Sequence, residues 1–227
     1  MASRLLGAGL GVLAALVTTV ASPPPTQAAW HANARTLSAP ALWRAGGDRA
    51  VWMVGDSITA ADAPALAEDL AARGRTLAVD ATPGIPTTPG VDRLLARLRR
   101  APAPPTLVVA LGTNDGEPRV VAAQVERVMR AVPRRTQVWW VNVWKDRWLV
   151  SDNGDVLAAR RINAELDAAT RRHPNLAVVD WWSTVAADPR HYLRDGVHTN
   201  AAGRAARNAL VVAAVERDQP PAPGQQP

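Results

Sequence analysis

Short apolar runs alternate along the chain with longer stretches rich in alanine, leucine and arginine. Each run has the length of a buried strand, and each longer stretch carries apolar residues at helical spacing. The runs predict strands at 50–54, 76–80, 106–111, 137–143 and 176–181. The longer stretches predict helices at about 62–73, 90–100, 117–131, 155–172 and 200–217. Uniformly apolar strands that alternate with helices are typical of a parallel α/β sheet covered on both faces.

This pattern predicts one domain over about 35–217, with different segments at either end. Arg4 is followed by an apolar run over 5–20, by Ser22 and three prolines, and by small residues up to Ala28. That order is typical of a secretory signal peptide over 1–28, and a run of about 16 residues is shorter than a membrane-spanning helix needs. We therefore expect a secreted or cell-envelope protein that contacts a membrane only through an uncleaved leader. The tail, 218–227, is rich in proline and glutamine and is predicted to be disordered.

Composition excludes several function classes. The formal net charge is +6, but of the 26 basic residues only Lys145 is a lysine, which indicates a GC-rich coding bias. Because no dense basic run is interleaved with aromatic residues, we expect no nucleic-acid partner. The chain has no cysteine, which excludes disulfides and a lipid anchor attached to cysteine.

Glycines and polar residues cluster in loops that follow the predicted strands. The four loops are Gly55-Asp56-Ser57-Ile58 after the first strand, Thr82-Pro83-Gly84 after the second, Gly112-Thr113-Asn114-Asp115 after the third, and Asp195-Gly196-Val197-His198 before the last helix. In an open parallel sheet, ligands bind beyond the carboxyl ends of the strands. These loops are therefore the place where an active site is expected.

The four blocks, in this order, resemble the signature blocks of SGNH (GDSL-type) hydrolases. The resemblance extends from about Trp52 to the final helix, and it implies a flavodoxin-like three-layer α/β/α sandwich with five parallel strands. It also implies a serine hydrolase that needs no cofactor. A looser similarity, in VWMVGDSITA, VVALGTND and VNVWKDRW, links the chain to the SGNH domain of acyltransferases that O-acetylate peptidoglycan.

The resemblance assigns a catalytic triad to Ser57, Asp195 and His198. The spacing of Asp195 and His198 lets the carboxylate accept a hydrogen bond from Nδ1–H, which leaves Nε2 to take the proton of Ser57. By resemblance, the oxyanion hole consists of the backbone N–H groups of Ser57 and Gly84 and the side-chain amide of Asn114. A glycine at 84 would let the bare backbone approach the substrate closely.

Other interpretations of these residues remain open. Ser57 could be only the N-cap of the next helix, and Asn114 and Asp115 could be only turn and N-cap residues before Pro118, a description that suits Asp115 best. Asp56 is expected to have a structural role in its loop. Gly90 is an alternative to Gly84 as the glycine of the oxyanion hole. The sequence has no GxSxG motif, because Thr59 stands where the second glycine would be, and this argues against the ordinary α/β-hydrolase fold.

A metal site is an alternative interpretation of the last loop. Asp188, His191, Asp195 and His198 lie within eleven residues and could hold zinc. No HExxH motif or cysteine pair accompanies them, so we expect no metal and regard His191 as a loop or pocket-wall residue. His31 and His173 lie outside the predicted site and are expected on the surface.

The loop 144–154 follows the fourth strand and carries candidate substrate-binding residues. Trp144, Lys145, Arg147 and Trp148 could form one wall of the site, and an exposed tryptophan can stack on a sugar ring. Four other tryptophans are expected to be mostly core and rim residues, namely Trp139, Trp140, Trp181 and Trp182.

Together these features predict a secreted, monomeric serine esterase that acts on short acyl esters, acetyl esters above all, of a small molecule or a glycan. Two alternatives are an O-acyltransferase that acts on a cell-wall or other polysaccharide and a noncatalytic envelope-binding module.

Overall fold

The structure is a computed structural model that describes residues 36–149 and 154–217. Its centre is a six-stranded sheet made of β1 (Thr36–Leu37), β2 (Ala50–Gly55), β3 (Thr76–Ala81), β4 (Thr106–Ala110), β5 (Gln137–Val141) and β6 (Leu176–Val179). The strand order is β1-β3-β2-β4-β5-β6. β2 to β6 are parallel, whereas β1 pairs with β3 in the antiparallel direction.

Helices cover both faces of the sheet. They are α1 (Ser57–Ala71), α2 (Thr87–Leu98), α3 (Pro118–Ala131), α4 (Gly154–Thr170), α5 (Trp181–Ala187), α6 (Pro189–Tyr192) and α7 (Ala201–Arg217). One core cluster contains buried residues of α2, α3 and α4, and a second contains buried residues of α1, α5 and α7. The protein is therefore a three-layer α/β/α sandwich, as predicted.

Alternate residues of β2 explain why its sequence is apolar throughout. Val51 and Met53 belong to the core under α1 and α7, whereas Trp52 and Val54 belong to the core under α2 to α4. Successive side chains of a strand point to opposite faces, so a strand between two helical layers needs apolar residues at every position.

The five predicted strands are all present, and the prediction of five strands in total was one short. The missed strand, β1, is a two-residue antiparallel edge strand, too short to leave a pattern in the sequence. The first helix was also placed too late, because it begins at Ser57 instead of near 62. The carboxylate of Asp56 caps it by accepting a hydrogen bond from Ile58 N–H at 3.0 Å.

The predicted leader and tail, 1–28 and 218–227, lie outside the described residues. Within 36–149 and 154–217, no helix is long and apolar enough to cross a membrane.

The strand order creates a crevice at one edge of the sheet. From β2 the chain crosses to β3 on one side, and from β4 it crosses to β5 on the other side, while β2 and β4 are neighbours. Connections that diverge in this way open a crevice at the carboxyl ends of the two strands. The loops that follow β2 and β4, with Ser57 and Asn114, therefore lie beside each other.

Candidate active site

Ser57 is the first residue of α1, directly after β2. It is not the cap of this helix, because Asp56 has that role. The first backbone N–H groups of a helix have no intrahelical partner and form the positive end of the helix dipole. Ser57 thus places both its hydroxyl and an N–H group at the carboxyl edge of the sheet.

The structure brings Ser57, His198 and Asp195 into one hydrogen-bonded chain. Ser57 Oγ lies 3.0 Å from His198 Nε2, and His198 Nδ1 lies 2.8 Å from Asp195 Oδ2. With the proton on Nδ1, the ring donates to Asp195 and leaves Nε2 as an acceptor for the serine hydroxyl. The chain connects residues that are 141 positions apart in the sequence.

Asp195 is held as a carboxylate. Its other oxygen, Oδ1, accepts hydrogen bonds from the backbone N–H groups of Val197 and His198 at 3.0 and 2.8 Å. Partial burial raises the pKa of Asp195, but the hydrogen bonds from His198 and Val197 outweigh burial, so the pKa lies below its usual value. The ionised form is therefore the one that orients the imidazole ring.

A buried polar cluster, formed by Thr59, Asp62, Thr199, Arg207 and Asn208, anchors the loop that carries His198. Thr199 Oγ1 donates to Asp62 Oδ1 at 2.8 Å, and Arg207 Nη1 donates to Asp62 Oδ2 at 3.4 Å. Asp62 is 1% exposed and Arg207 is 2% exposed. The cluster ties α1 to α7 and fixes the residue that follows His198.

Sequence reasoning missed Asp62, although the sequence carries a signal. Ile58, Asp62, Leu66 and Leu70 recur every four residues along α1, and all four are buried. A carboxylate within an apolar helical stripe indicates a buried partner. The pattern does not say which residue that partner is.

Asn114 follows β4 and stands beside Ser57 in the same cavity. Its side-chain amide donates to the carbonyl oxygen of Ile85 at 3.1 Å and lies 3.4 Å from Asp56 Oδ2. Asp56 is itself buried, and burial raises its pKa even though Arg207 acts in the opposite direction. Asp56 holds its loop, as expected, by contacting Ile58 and Asn114.

Asp115 does not cap the helix that starts at Pro118, which corrects the interpretation of it as a cap there. Its Oδ2 accepts hydrogen bonds from the backbone N–H and the hydroxyl of Thr87, the first residue of α2. Glu117 precedes α3 and makes no capping bond with its side chain. Asp115 therefore joins the loop after β4 to the helix that follows β3.

The two candidate glycines have different places. Gly84 is half-buried in the loop after β3, with φ +70°, a backbone conformation that favours glycine. Gly90 lies inside α2, where a Cβ atom would crowd the side chain of Leu111. Gly90 is therefore a packing residue, and Gly84 is the glycine of the loop. Among the described residues, those that line the cavity at Ser57 do not include Gly84.

A cavity of about 220 Å³ opens at the serine. Its lining residues are Ser57, Thr113, Asn114, Lys145, Arg147, Trp148, Asp195, Val197 and His198. The structure thus places three of the four candidates from the loop after β5 at the site. The fourth, Trp144, is buried against Trp182.

Lys145 is a buried cation in the wall of this cavity. It is 4% exposed, and its Nζ donates to the carbonyl oxygen of Asp115 at 3.0 Å and lies 3.6 Å from Asp155. Burial lowers the pKa of Lys145, although the carboxylate of Asp155 opposes this effect. Its contacts tie the loop after β5 to the loop after β4.

The loop 144–149 is docked on the loop 195–198 by backbone hydrogen bonds. Trp148 N–H donates to the carbonyl oxygen of Asp195 at 2.8 Å, and Asp146 N–H donates to that of Gly196 at 3.0 Å. Gly196 has φ +83°, and a Cβ atom there would overlap the carbonyl oxygen of Asp146. Only glycine allows the two backbones to come this close.

Replacing Gly196 with alanine is expected to separate these two loops. The new methyl group meets backbone that cannot rotate away, so we expect a stability loss of about 2 kcal/mol and a loss of esterase activity of at least tenfold. Thermal unfolding and p-nitrophenyl acetate hydrolysis measure the two effects. Gly116→Ala is the matched control, because a Cβ atom at Gly116 meets nothing within 4 Å. If Gly196→Ala, like Gly116→Ala, kept the stability and activity of the wild type, the close docking of the two loops would be contradicted.

The four residues considered for zinc do not form one cluster. Asp188 accepts a hydrogen bond from His191 N–H at the start of α6, whereas Asp195 and His198 pair with each other. No group of three or more metal-ligating side chains occurs within 36–149 and 154–217. His173 is partly exposed and pairs with Glu126 at 3.0 Å, away from the site, and His31 lies outside the described residues.

A family model described as the GDSL-like lipase/acylhydrolase family matches residues 53–206, which is about two thirds of the 227 residues. This range contains the four loops, from Ser57 to His198. No curated protein sequence matches the chain.

Several solved structures share the fold. One is the C-terminal catalytic domain of peptidoglycan O-acetyltransferase A from Streptococcus pneumoniae with a methylsulfonyl adduct, at 17% identity and a TM-score of 0.63, covering 77% of this chain and 96% of that one. A lipase/acylhydrolase from Enterococcus faecalis has 20% identity and a TM-score of 0.63, covering 76% and 98%. An acetylxylan esterase from Geobacillus stearothermophilus has 14% identity and a TM-score of 0.55, covering 76% and 94%.

Proposed function

The chain belongs to the GDSL-like lipase/acylhydrolase family and is a serine hydrolase of the SGNH type; on that premise we propose that it hydrolyses short acyl esters, acetyl esters above all. Ser57 is the proposed nucleophile, His198 the general base, and Asp195 the residue that orients the imidazole ring. The site of action proposed for the enzyme is outside the cytoplasmic membrane. That location rests on the leader pattern of 1–28 alone. Recovery of the protein from the culture medium, with a molecular mass that lacks the leader, would support it.

One observation carries the proposal, namely the hydrogen-bonded chain from Ser57 through His198 to Asp195 at the mouth of a cavity. A serine hydroxyl is a weak nucleophile until a base accepts its proton. His198 Nε2 is within reach of that proton, and the carboxylate of Asp195 stabilises the imidazolium that forms.

In the first half of the reaction, Ser57 Oγ attacks the ester carbonyl carbon while its proton moves to His198 Nε2. The tetrahedral intermediate then collapses, and the bond from carbon to the alcohol oxygen breaks. The departing alcohol takes the proton from Nε2, which leaves an acyl ester on Ser57 and a neutral imidazole. In the second half, water attacks the carbonyl carbon of this ester and gives a proton to His198 Nε2. The tetrahedral intermediate then collapses, the bond from carbon to Ser57 Oγ breaks, and Oγ takes the proton back from Nε2, which releases the acid and restores the free serine.

Groups at the start of α1 and after β4 would stabilise the oxyanion. Ser57 N–H lies at the positive end of a 15-residue helix, where negative charge is favoured. The side-chain amide of Asn114 would donate a second hydrogen bond by turning one N–H from its present acceptors towards the cavity. Gly84 N–H, in the loop after β3, is proposed as the third donor.

The size and chemistry of the cavity favour a short acyl group. Seven of the nine residues that line it have polar or charged side chains, and the two apolar ones are Trp148 and Val197. A long alkyl chain gains free energy only where it meets apolar surface. A small acyl group attached to a polar alcohol fits this lining better than a fatty acyl chain does.

A series of p-nitrophenyl esters tests the proposal. We expect kcat/KM to be highest for the acetate and to fall about tenfold or more from acetate to octanoate, because additional methylene groups find little room in a cavity of about 220 Å³ lined largely by polar residues. The hydrolysis must also stop when a sulfonyl fluoride modifies Ser57, as judged by mass spectrometry of the labelled peptide. A preference for octanoate, or activity that survives complete labelling, would contradict the proposal.

Acyl transfer to a polysaccharide hydroxyl is a second candidate function. The observation in its favour is that His198 and Asp195 are about one-third exposed, so that an alcohol as well as water could reach the acyl-enzyme. The two reactions differ only in the hydroxyl that enters second. With a chito-oligosaccharide present, release of more p-nitrophenol than free acetate would indicate transfer.

A further inference from the structure

Trp148 is the one exposed tryptophan among the eight that fall within 36–149 and 154–217. It is 80% exposed, whereas Trp43, Trp52, Trp139, Trp140, Trp144 and Trp181 are buried and Trp182 is half-buried. A tryptophan side chain presents a large apolar surface that folding ordinarily removes from water. Folding of the domain therefore does not explain why a tryptophan stands at this position.

The position of Trp148 is at the catalytic cavity. Trp148 is one of the residues that line the cavity containing Ser57 and His198. Its backbone N–H donates to the carbonyl oxygen of Asp195, a residue of the proposed triad. An indole ring in this place is presented to whatever enters the cavity.

The backbone of Trp148 is in a strained conformation. Its φ and ψ are 63° and 12°, and Leu149 next to it has φ 55°, both in the left-handed region that non-glycine residues rarely adopt. The hydrogen bond to Asp195 and a second one, from Leu149 N–H to the carbonyl oxygen of Asp146 at 2.8 Å, hold this conformation. Glycine would adopt it without strain, and strained residues of this kind cluster at ligand-binding sites.

The neighbours of Trp148 indicate the chemistry of the ligand. Arg147, which is more than half-exposed, and the polar side chains of Asn114 and Thr113 line the same cavity. Flat apolar surface beside several hydrogen-bonding groups suits a ligand with a C–H face and peripheral hydroxyl groups. A sugar ring has this composition, whereas a fatty acyl chain has no use for the polar groups.

From these observations we propose that Trp148 and Arg147 form a carbohydrate subsite that binds the sugar ring carrying the acyl ester. The proposal rests on the proposed esterase function and specifies its substrate as an O-acylated glycan. The indole ring stacks on the C–H face of the sugar and holds the ester over Ser57, while Arg147 donates hydrogen bonds to sugar oxygens. Trp148 is thus a residue that determines specificity, and it takes no part in proton transfer.

The test compares two substrates, p-nitrophenyl acetate and an O-acetylated chito-oligosaccharide, for the wild type and Trp148→Ala. We expect Trp148→Ala to lower kcat/KM for the oligosaccharide about tenfold more than for p-nitrophenyl acetate, mainly through KM, because only the sugar loses a stacking partner. Trp148→Phe is expected to keep most of the wild-type kcat/KM for the oligosaccharide. Leu157→Ala, which removes an exposed apolar side chain outside the cavity, is the matched control and keeps both activities.

A glycine variant separates binding from folding. Trp148→Gly relieves the left-handed strain, so its Tm is expected to equal or exceed that of the wild type while its activity on the oligosaccharide falls as in Trp148→Ala. Equal losses on both substrates in the alanine variant would overturn the proposal in favour of a structural role. It would also be overturned by a wild type that hydrolyses p-nitrophenyl acetate but no O-acetylated chito-oligosaccharide or xylo-oligosaccharide. Failure of the esterase function is a separate result, since it would appear as no Ser57-dependent hydrolysis of p-nitrophenyl acetate.

Discussion

Replacing Ser57 with alanine is expected to lower kcat for p-nitrophenyl acetate by about 10⁴-fold, equivalent to about 5 kcal/mol of transition-state stabilisation. Alanine removes the oxygen that would form the acyl-enzyme, and the remaining groups can only help water to attack directly. The side-chain hydrogen bond of Ser57 is the one to His198, and the cap of α1 comes from Asp56. The fold should therefore keep its stability, and circular dichroism and thermal unfolding check this.

Ser183→Ala is the matched control for this variant. Ser183 is an exposed serine in the first turn of α5 and does not line the cavity at Ser57. We expect it to retain wild-type rates. If Ser57→Ala hydrolysed the ester as fast as the wild type, the triad assignment would be wrong and a noncatalytic, envelope-binding role would become the better explanation.

Replacing Asp62 with alanine is expected to destabilise the protein by about 3–5 kcal/mol, because the buried guanidinium of Arg207 loses the carboxylate to which it donates a hydrogen bond. For a domain of this size, the loss corresponds to a fall in Tm of roughly 10 °C. Thr199 also loses the acceptor of its hydroxyl, so the loop that carries His198 is expected to loosen and activity to fall. Urea unfolding followed by tryptophan fluorescence measures the stability, and p-nitrophenyl acetate hydrolysis measures the activity.

A double variant distinguishes the destabilising effect of an uncompensated buried charge from that of a cavity left by a smaller side chain. In Asp62→Leu combined with Arg207→Met, both charges are replaced by apolar groups, and part of the stability is expected to return. The recovery is incomplete because the buried Asp56 loses the favourable charge of Arg207. Activity is expected to stay low in this double variant, because Thr199 still lacks its acceptor. Glu68→Ala changes an exposed acid on the same helix and is expected to have little effect. A double variant no more stable than Asp62→Ala would contradict the ion-pair explanation.

The sequence by itself was sufficient for the parallel strands of the sheet and for the order of the loops that form the candidate site. A parallel strand between two helical layers must be apolar at every position, so β2 to β6 stood out as continuous runs. Ser57, Asn114 and His198 could be proposed because their loops resemble the SGNH signature blocks. Each also follows a strand or precedes the last helix, and such positions converge on one edge of the sheet. The strands needed only local order along the chain, and the site residues needed the resemblance as well. The start of α1 was misplaced because the capping bond from Asp56 leaves no periodic signal.

The tertiary structure decided the features that depend on partners distant in sequence. Asp62 and Arg207 are 145 positions apart, and Asp115 caps a helix that begins 28 positions before it. No local pattern records such pairs, because packing of separate elements creates them. The burial of Lys145 and the exposure of Trp148 have the same origin, since both result from the docking of the loop 144–149 on its neighbours. Sequence could nominate Trp148 as a residue near the site, but only the folded chain shows that it is exposed, lines the cavity at Ser57 and has its backbone held by Asp195.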